Sequence, residues 1–183
     1  MKRKLGRSGI NISALGMGCW AIGGPFWAGE EPLGWGEVND EESIRGIHVA
    51  LDRGVNFFDT ANVYGAGHSE IVLGRALSGR RSDVVIATKF SATFDASTRQ
   101  VTGDDASAEG IISACEESLR RLNTDYIDLY QFHNNSFPAD EALPVRETLE
   151  KMVRAGKIRS YGWSTDYPDR ADIFAQGANC TAI

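Results

Sequence analysis

Gly54-Val55-Asn56-Phe57-Phe58-Asp59-Thr60-Ala61-Asn62-Val63-Tyr64-Gly65 is the stretch that decides the fold. Its apolar run, Val55 to Phe58, is too short for a helix, follows a helix-stopping glycine and ends on an acid, so it reads as a buried strand. Upstream, Asn39 and Asp40 offer N-cap oxygens, and Ile44, Ile47 and Leu51 recur at helical spacing until Gly54. Downstream the alternation repeats. A helix over Ser69 to Leu77 precedes a strand over Asp83 to Thr88, and a helix then carries Ile111, Cys115, Leu119 and Leu122 on one face. Tyr126 to Gln131 reads as a strand, Leu143 to Val153 as a helix, Ile158 to Trp163 as a strand and Asp169 to Gln176 as a short helix, with Cys180 to Ile183 opening the next strand. Before the decisive stretch, Lys2 to Leu5 and Ile10 to Ser13 flank the turn-forming Gly6-Arg7-Ser8-Gly9 and predict a hairpin able to plug a barrel floor. Ala14 to Gly18 predicts a first inner strand. Ala21 to Val38, rich in Gly, Pro and Trp, predicts a loop without regular structure, a candidate lid. No composition break interrupts the alternation, so residues 1–183 read as one α/β domain with a parallel sheet, either an open doubly wound sheet or an eight-stranded TIM-type barrel.

Gly16-Met17-Gly18-Cys19-Trp20-Ala21 fits the G-x-G-x-x-A form of a dinucleotide fingerprint, but that motif needs a helix to begin within its glycines. Here Gly23, Gly24 and Pro25 follow, which argues against the doubly wound reading. Composition excludes other classes. A formal charge of −6 with Lys and Arg scattered along the chain is not a nucleic-acid-binding face. The basic start is broken by Gly6 to Gly9 before an apolar run can form, and no apolar stretch reaches the ~20 residues a membrane span needs, so the expected location is the cytoplasm. Cys19, Cys115 and Cys180 are far apart and lack metal-ligand or CxxC spacing, so no metal site is expected.

Chemistry-bearing side chains fall where strands end. Asp59 follows Phe58 directly and Tyr64 comes five residues later. Val84-Val85-Ile86-Ala87-Thr88 ends on Lys89, and Ile127-Asp128-Leu129-Tyr130-Gln131-Phe132 ends on His133. Each taken alone reads as a cap, a surface charge or, for Tyr64, packing. Residues at the C-terminal ends of parallel barrel strands face one mouth, so together the four converge. An ammonium paired to a carboxylate makes a neighbouring phenol a readier proton donor, and an imidazole can hydrogen-bond a substrate oxygen or join the relay. Such a group suits protonating the oxyanion formed when hydride adds to a carbonyl.

With LGMGCW at 15–20, GVNFFDTANVYGAGHSE at 54–70, VIATK at 85–89, YIDLYQFH at 126–133 and GKIRSYGWST at 156–165, the chain resembles the aldo-keto reductase family over essentially its whole length. The resemblance implies a (β/α) barrel without a Rossmann unit, NADPH extended across its mouth, and reduction of an aldehyde or ketone to an alcohol. It implies a catalytic tetrad of Asp59, Tyr64, Lys89 and His133 with Tyr64 as general acid. Nicotinamide contacts are implied at Gly18, Cys19 and Trp20, at Asp59, and at Ser164 and Thr165. The family has Asn after the serine, whereas Thr165 offers a hydroxyl and no amide; where members often have Trp-Pro after the histidine, this chain has Asn134 and Asn135. Trp20, Phe26, Trp27 and Phe90, with His133, are the expected walls of the substrate pocket, because aromatics over the mouth supply an apolar surface.

A barrel of this type takes about 250 residues, so the expectation is an incomplete barrel of about six strands, lacking its last two to three βα units and the loops that hold the cofactor phosphates. Its open edges invite pairing with another copy of the chain. Three other readings stay open: a barrel aldolase with Lys89 as Schiff-base nucleophile, a non-catalytic NADPH-sensing subunit, and an inactive fragment.

Overall fold

Two antiparallel strands, β1 (Lys2–Lys4) and β2 (Asn11–Ser13), open the computed structural model, which describes residues 1–182. This is the expected hairpin. The chain then builds a six-stranded sheet from β3 (Met17–Gly18), β6 (Phe57–Asp59), β7 (Val85–Phe90), β10 (Ile127–Phe132), β11 (Ile158–Trp163) and β12 (Cys180–Ala182), after the shorter β4 (Trp27–Ala28) and β5 (Glu31–Pro32) and with β8 (Ala92–Asp95) and β9 (Gln100–Asp104) between. Helices α1 (Asp40–Asp52), α2 (His68–Ala76), α3 (Ala108–Leu122), α4 (Ala142–Arg154) and α5 (Pro168–Ala175) connect them. The sheet order is β12-β11-β10-β7-β6-β3, and its pairs are parallel. Space order therefore follows chain order without reversal. A doubly wound sheet reverses at its switch point, whereas a (β/α) barrel winds one way, and the monotonic order selects the barrel type of winding.

Helix ends follow local chemistry. Asn39 accepts from the Glu42 amide at the start of α1, and Ser107 accepts from the Gly110 amide at the start of α3. The helices bury one face each: Ile47 and Leu51, Val72 and Leu73, Ile111 with Cys115, Leu119 and Leu122, then Val145, Leu149 and Met152. They meet the outward residues of the strands, Phe58, Ile86, Phe90, Tyr130, Phe132, Tyr161 and Trp163, in the main core. Burying each side chain of this size contributes about 1.5–3 kcal/mol. The opposite face is layered. Near the floor Val85, Ala87 and Leu129 meet Leu5 and Ile10, with Ile12 and Phe57 packed beside them, so the hairpin closes that end. One step further along the same strands, period-two alternation presents Asp59, Lys89 and Gln131. The floor is clamped by Asp128, fully buried, whose carboxylate accepts from Arg81 at 2.7 Å, Arg159 at 2.6 Å and the Ile86 amide at 3.0 Å, tying β7, β10 and β11 together.

Two expectations are corrected. Residues 21–38 are not without regular structure: they form a turn of 3-10 helix over Ala21–Gly23 and the antiparallel pair β4–β5, which joins β9 and β8 in a separate four-stranded sheet. The first inner strand is shorter than expected, Met17–Gly18 in place of Ala14 to Gly18, because Ala14 and Leu15 are exposed. Among the described residues no helix is long and apolar enough to cross a membrane.

Candidate active site

Lys89 is 5% exposed, and an ammonium taken out of water must be paired and hydrogen-bonded. It has them. Nζ donates to Asp59 Oδ1 at 2.5 Å, to the Thr60 carbonyl at 2.8 Å and to Tyr64 Oη at 3.5 Å. Asp59 and Lys89 reach one point because β6 and β7 pair in parallel and both residues point to the inner face near their C-terminal ends. Tyr64 arrives from the turn after β6, where the backbone folds back through Tyr64 N to Ala61 O, Ala66 N to Val63 O and Ser69 N to Tyr64 O. The turn is braced from beneath: Ser69 Oγ donates to the Cys19 carbonyl at 2.6 Å, which leaves Thr60 Oγ1 to donate to Ser69 Oγ at 2.8 Å. His133 follows β10, held by its amide to the Phe90 carbonyl, with its ring edge-on to Tyr64 at 6.2 Å between centroids and 89° between planes. The four expected catalytic residues therefore meet.

His133 has its pKa pulled down to about 4, first by burial and then by the positive charge of Lys89, with Asp104 opposing. Its imidazole is neutral at neutral pH and offers an N–H without a charge. Because Lys89 donates to Oη, the Tyr64 O–H remains free to point at a substrate oxygen. A cleft of about 460 Å³ opens here, lined by Asp59, Lys89, Gln131, His133, Asn135, Ser164, Thr165 and Asp166.

The expected cofactor contacts divide. Ser164 and Thr165 line the cleft, with the Ser164 amide tied to the Phe132 carbonyl and Thr165 Oγ1 donating to Asn135 Oδ1 at 2.9 Å. Gly18 stands beside Asp59 in register, and a Cβ there would meet nothing within 4 Å, so the space at this strand end is open. Trp20 lies flat against Tyr64, 5.4 Å between centroids and 12° between planes. Cys19 is a correction. Its thiol is fully buried in the main core and pushed up to about 12 by burial and by the Asp59 charge, its amide donates to the Asp59 carbonyl, and its own carbonyl accepts from Ser69. It braces the site and has no group left for a ligand.

Two pocket walls are also corrected. Phe90 is fully buried on the helix side of the sheet, stacked on Tyr130 at 4.6 Å and Phe132 at 5.4 Å, because it follows the inward Lys89 and alternation turns it away. Phe26 is 2% exposed and packs with Ala61 and Val63 beneath the small sheet. Trp27 is half-buried on β4, opposite Gln100; neither it nor Trp20 is among the residues lining the cleft, but Trp20 covers the ring of Tyr64 and Trp27 does not. Sequence reading missed Gln131, whose Nε2 donates to Asp59 Oδ2 at 3.5 Å. Its signal was present: it stands two residues before His133 on an alternating strand. It also missed Asn135, which bridges Thr165 and Asp166.

The Aldo/keto reductase family model matches residues 14–180. Aldo-keto reductase YhdN of Bacillus subtilis (strain 168) is 40% identical over 172 residues, covering 91% of this chain and 47% of its own length. Probable aldo-keto reductase 1 of Glycine max is 37% identical over 171 residues, covering 91% and 45%. In structure, the holo form of aldo-keto reductase AKR11C1 from Bacillus halodurans superposes with a TM-score of 0.83 at 33% identity, covering 98% of this chain and 55% of that one. The chain belongs to the aldo/keto reductase family, and its fold is that family's TIM-type barrel, of which the described residues supply six parallel strands. It spans about half the length of the curated relatives it matches.

Proposed function

We propose that this chain carries the proton-transfer site of an NADPH-dependent carbonyl reductase, with Tyr64 as the general acid. The observation that carries the reading is the single ammonium of Lys89 shared between the Asp59 carboxylate at 2.5 Å and the Tyr64 phenol at 3.5 Å, with neutral His133 facing the same phenol. The cleft's hydroxyls and amides, Ser164, Thr165, Gln131 and Asn135, fit the carboxamide end of a nicotinamide. NADPH, when bound, supplies a hydride to the carbonyl carbon. The substrate oxygen is held between the Tyr64 O–H and a ring N–H of His133. As that oxygen gains negative charge, Tyr64 gives it the phenolic proton, an O–H bond forms on the substrate, and the phenolate left behind is stabilised by Lys89. Asp59 holds Lys89 aimed at the phenol, and Gln131 steadies the far oxygen of Asp59. Solvent returns the proton to Tyr64.

Membership of the family supports a nicotinamide cofactor, taken here as NADPH, and an aldehyde or ketone as the substrate. We place the reaction in the cytoplasm, where the three buried free thiols stay reduced. A Schiff-base role for Lys89 is disfavoured, because its three N–H groups are all donated and no lone pair is free for a carbonyl. Tyr64→Phe removes the proton and keeps the ring stacked on Trp20. In the protein as its gene encodes it, turnover of a small aldehyde, followed as loss of NADPH absorbance, is expected to fall by about 10²–10⁴ while NADPH affinity holds. Full turnover in that variant rejects Tyr64 as the acid.

A further inference from the structure

Trp35 leaves 70% of its surface exposed, more than any other described aromatic ring among the exposed large apolar residues, and it packs on the indole that covers the Tyr64 ring. Its ring stands edge-on to Trp20, 5.8 Å between centroids and 82° between planes, while Trp20 lies flat on Tyr64. From the phenol outward the rings run Tyr64, Trp20, Trp35, and they become progressively more exposed. On its other side the phenol meets the polar cleft of His133, Gln131 and Asn135. An isolated exposed tryptophan is ordinary surface; one stacked in series with an indole that covers the reactive phenol extends an aromatic wall outward from it.

The segment that carries Trp35 is fixed by contacts that do not involve its ring. Trp20 Nε1 donates to the Leu33 carbonyl at 3.1 Å, and the Leu33 amide donates to the Phe26 carbonyl at 2.9 Å. Gly34 lies so close to the Gly24 carbonyl that a Cβ would sit 2.3 Å from its oxygen. Leu33 itself packs against Phe26, Ala61 and Val63, so the small sheet holds this segment against the turn that presents Tyr64.

We propose that Trp35 is a specificity-determining residue and that the site favours carbonyl compounds bearing a flat ring next to the carbonyl over small aliphatic ones. The carbonyl reaches Tyr64 and His133, and the ring beyond it covers Trp20 and Trp35. Flat rings gain from offset or edge-on contact with indole, a gain that a short alkyl chain cannot match. The proposal rests on the carbonyl-reductase reading, and its test separates the two. The kcat/KM ratio of benzaldehyde to propanal is compared in the native protein, Trp35→Ala and Trp35→Phe. The ratio is expected to fall on the order of tenfold in Trp35→Ala and to stay near native in Trp35→Phe. Binding of acetophenone and of acetone, measured by ligand-observed NMR without cofactor, needs no turnover. Native protein is expected to hold acetophenone more tightly, and Trp35→Ala to lose that preference. Unchanged ratios or unchanged acetophenone binding in Trp35→Ala overturn the proposal. A native protein that reduces neither aldehyde yet binds acetophenone through Trp35 overturns the reductase reading and upholds the aromatic wall.

Discussion

Burial and the Lys89 ammonium both disfavour the imidazolium of His133, and the pKa of about 4 carries a stability consequence with a definite sign. As pH falls below about 6.5 the unfolded chain binds a proton at this histidine, while the folded chain refuses it until about pH 4. The unfolded state therefore binds more protons across that window, and stability decreases as pH falls through it. The loss is on the order of 3 kcal/mol at most. His133→Asn is expected to flatten the dependence of Tm on pH between these limits, and native and variant Tm falling in parallel would reject the assignment. At this scale the sequence was legible wherever chemistry and strand parity coincide: Asp59 ends β6, Lys89 is the last residue but one of β7, His133 follows β10, and all reach the site. Phe90 was misread although the same parity rule decides it, since the neighbour of an inward lysine must face the helices. Cys19 was misread for another reason. It lies in the right segment, but only coordinates show that its thiol turns into the core and that both its backbone groups are already bonded.

Between elements, the site depends on how closely the turn after β6 approaches the turn after β3. Gly65 has φ of +62° and a Cβ there would sit 1.9 Å from the Gly23 carbonyl oxygen, while a Cβ on Gly23 would sit 2.8 Å from the Tyr64 carbonyl carbon. The two turns can only pack with glycine at both places, and this contact sets where Tyr64 and Trp20 stack. Gly65→Ala forces the turns apart and strains the backbone. The expected result is a kcat for a small aldehyde reduced about tenfold to a hundredfold, since displacement near 1 Å is enough for that, with tryptophan fluorescence altered as Trp20 leaves Tyr64. Native kcat in Gly65→Ala would show that the turns are free to adjust. The helices were legible because apolar stripes repeat over 13 to 15 residues in α1, α3 and α4, and Asn39 marks the start of the first. The small sheet was not, because β4 and β5 hold two residues each, too few for any period, and Gly29 and Pro32 in their midst read as loop. It is this illegible sheet that positions Trp35.

For the molecule as a whole, parallel pairing puts the C-terminal ends of the six-stranded sheet's strands on one side, so a single mouth was foreseeable from the alternation of strand and helix alone. Charge at that mouth was not, because it depends on which side chains line the cleft. Asp59 and Asp166 bring two carboxylates, Lys89 brings one ammonium already engaged by Asp59, and the remaining lining residues are neutral. The formal net charge of −6 adds a repulsive background. A nicotinamide amide finds partners here, but the phosphates of NADPH find no free cation among the residues that line the cleft. A polypeptide of these 183 residues is therefore expected to bind NADPH weakly, with a Kd of about 1 mM or above, and to bind nicotinamide mononucleotide, with its single phosphate, no more than about tenfold less tightly. Isothermal titration of both ligands into the same preparation checks this. Micromolar or tighter NADPH binding would mean that cations outside the cleft reach its phosphates, and the electrostatic account of the mouth would then be wrong.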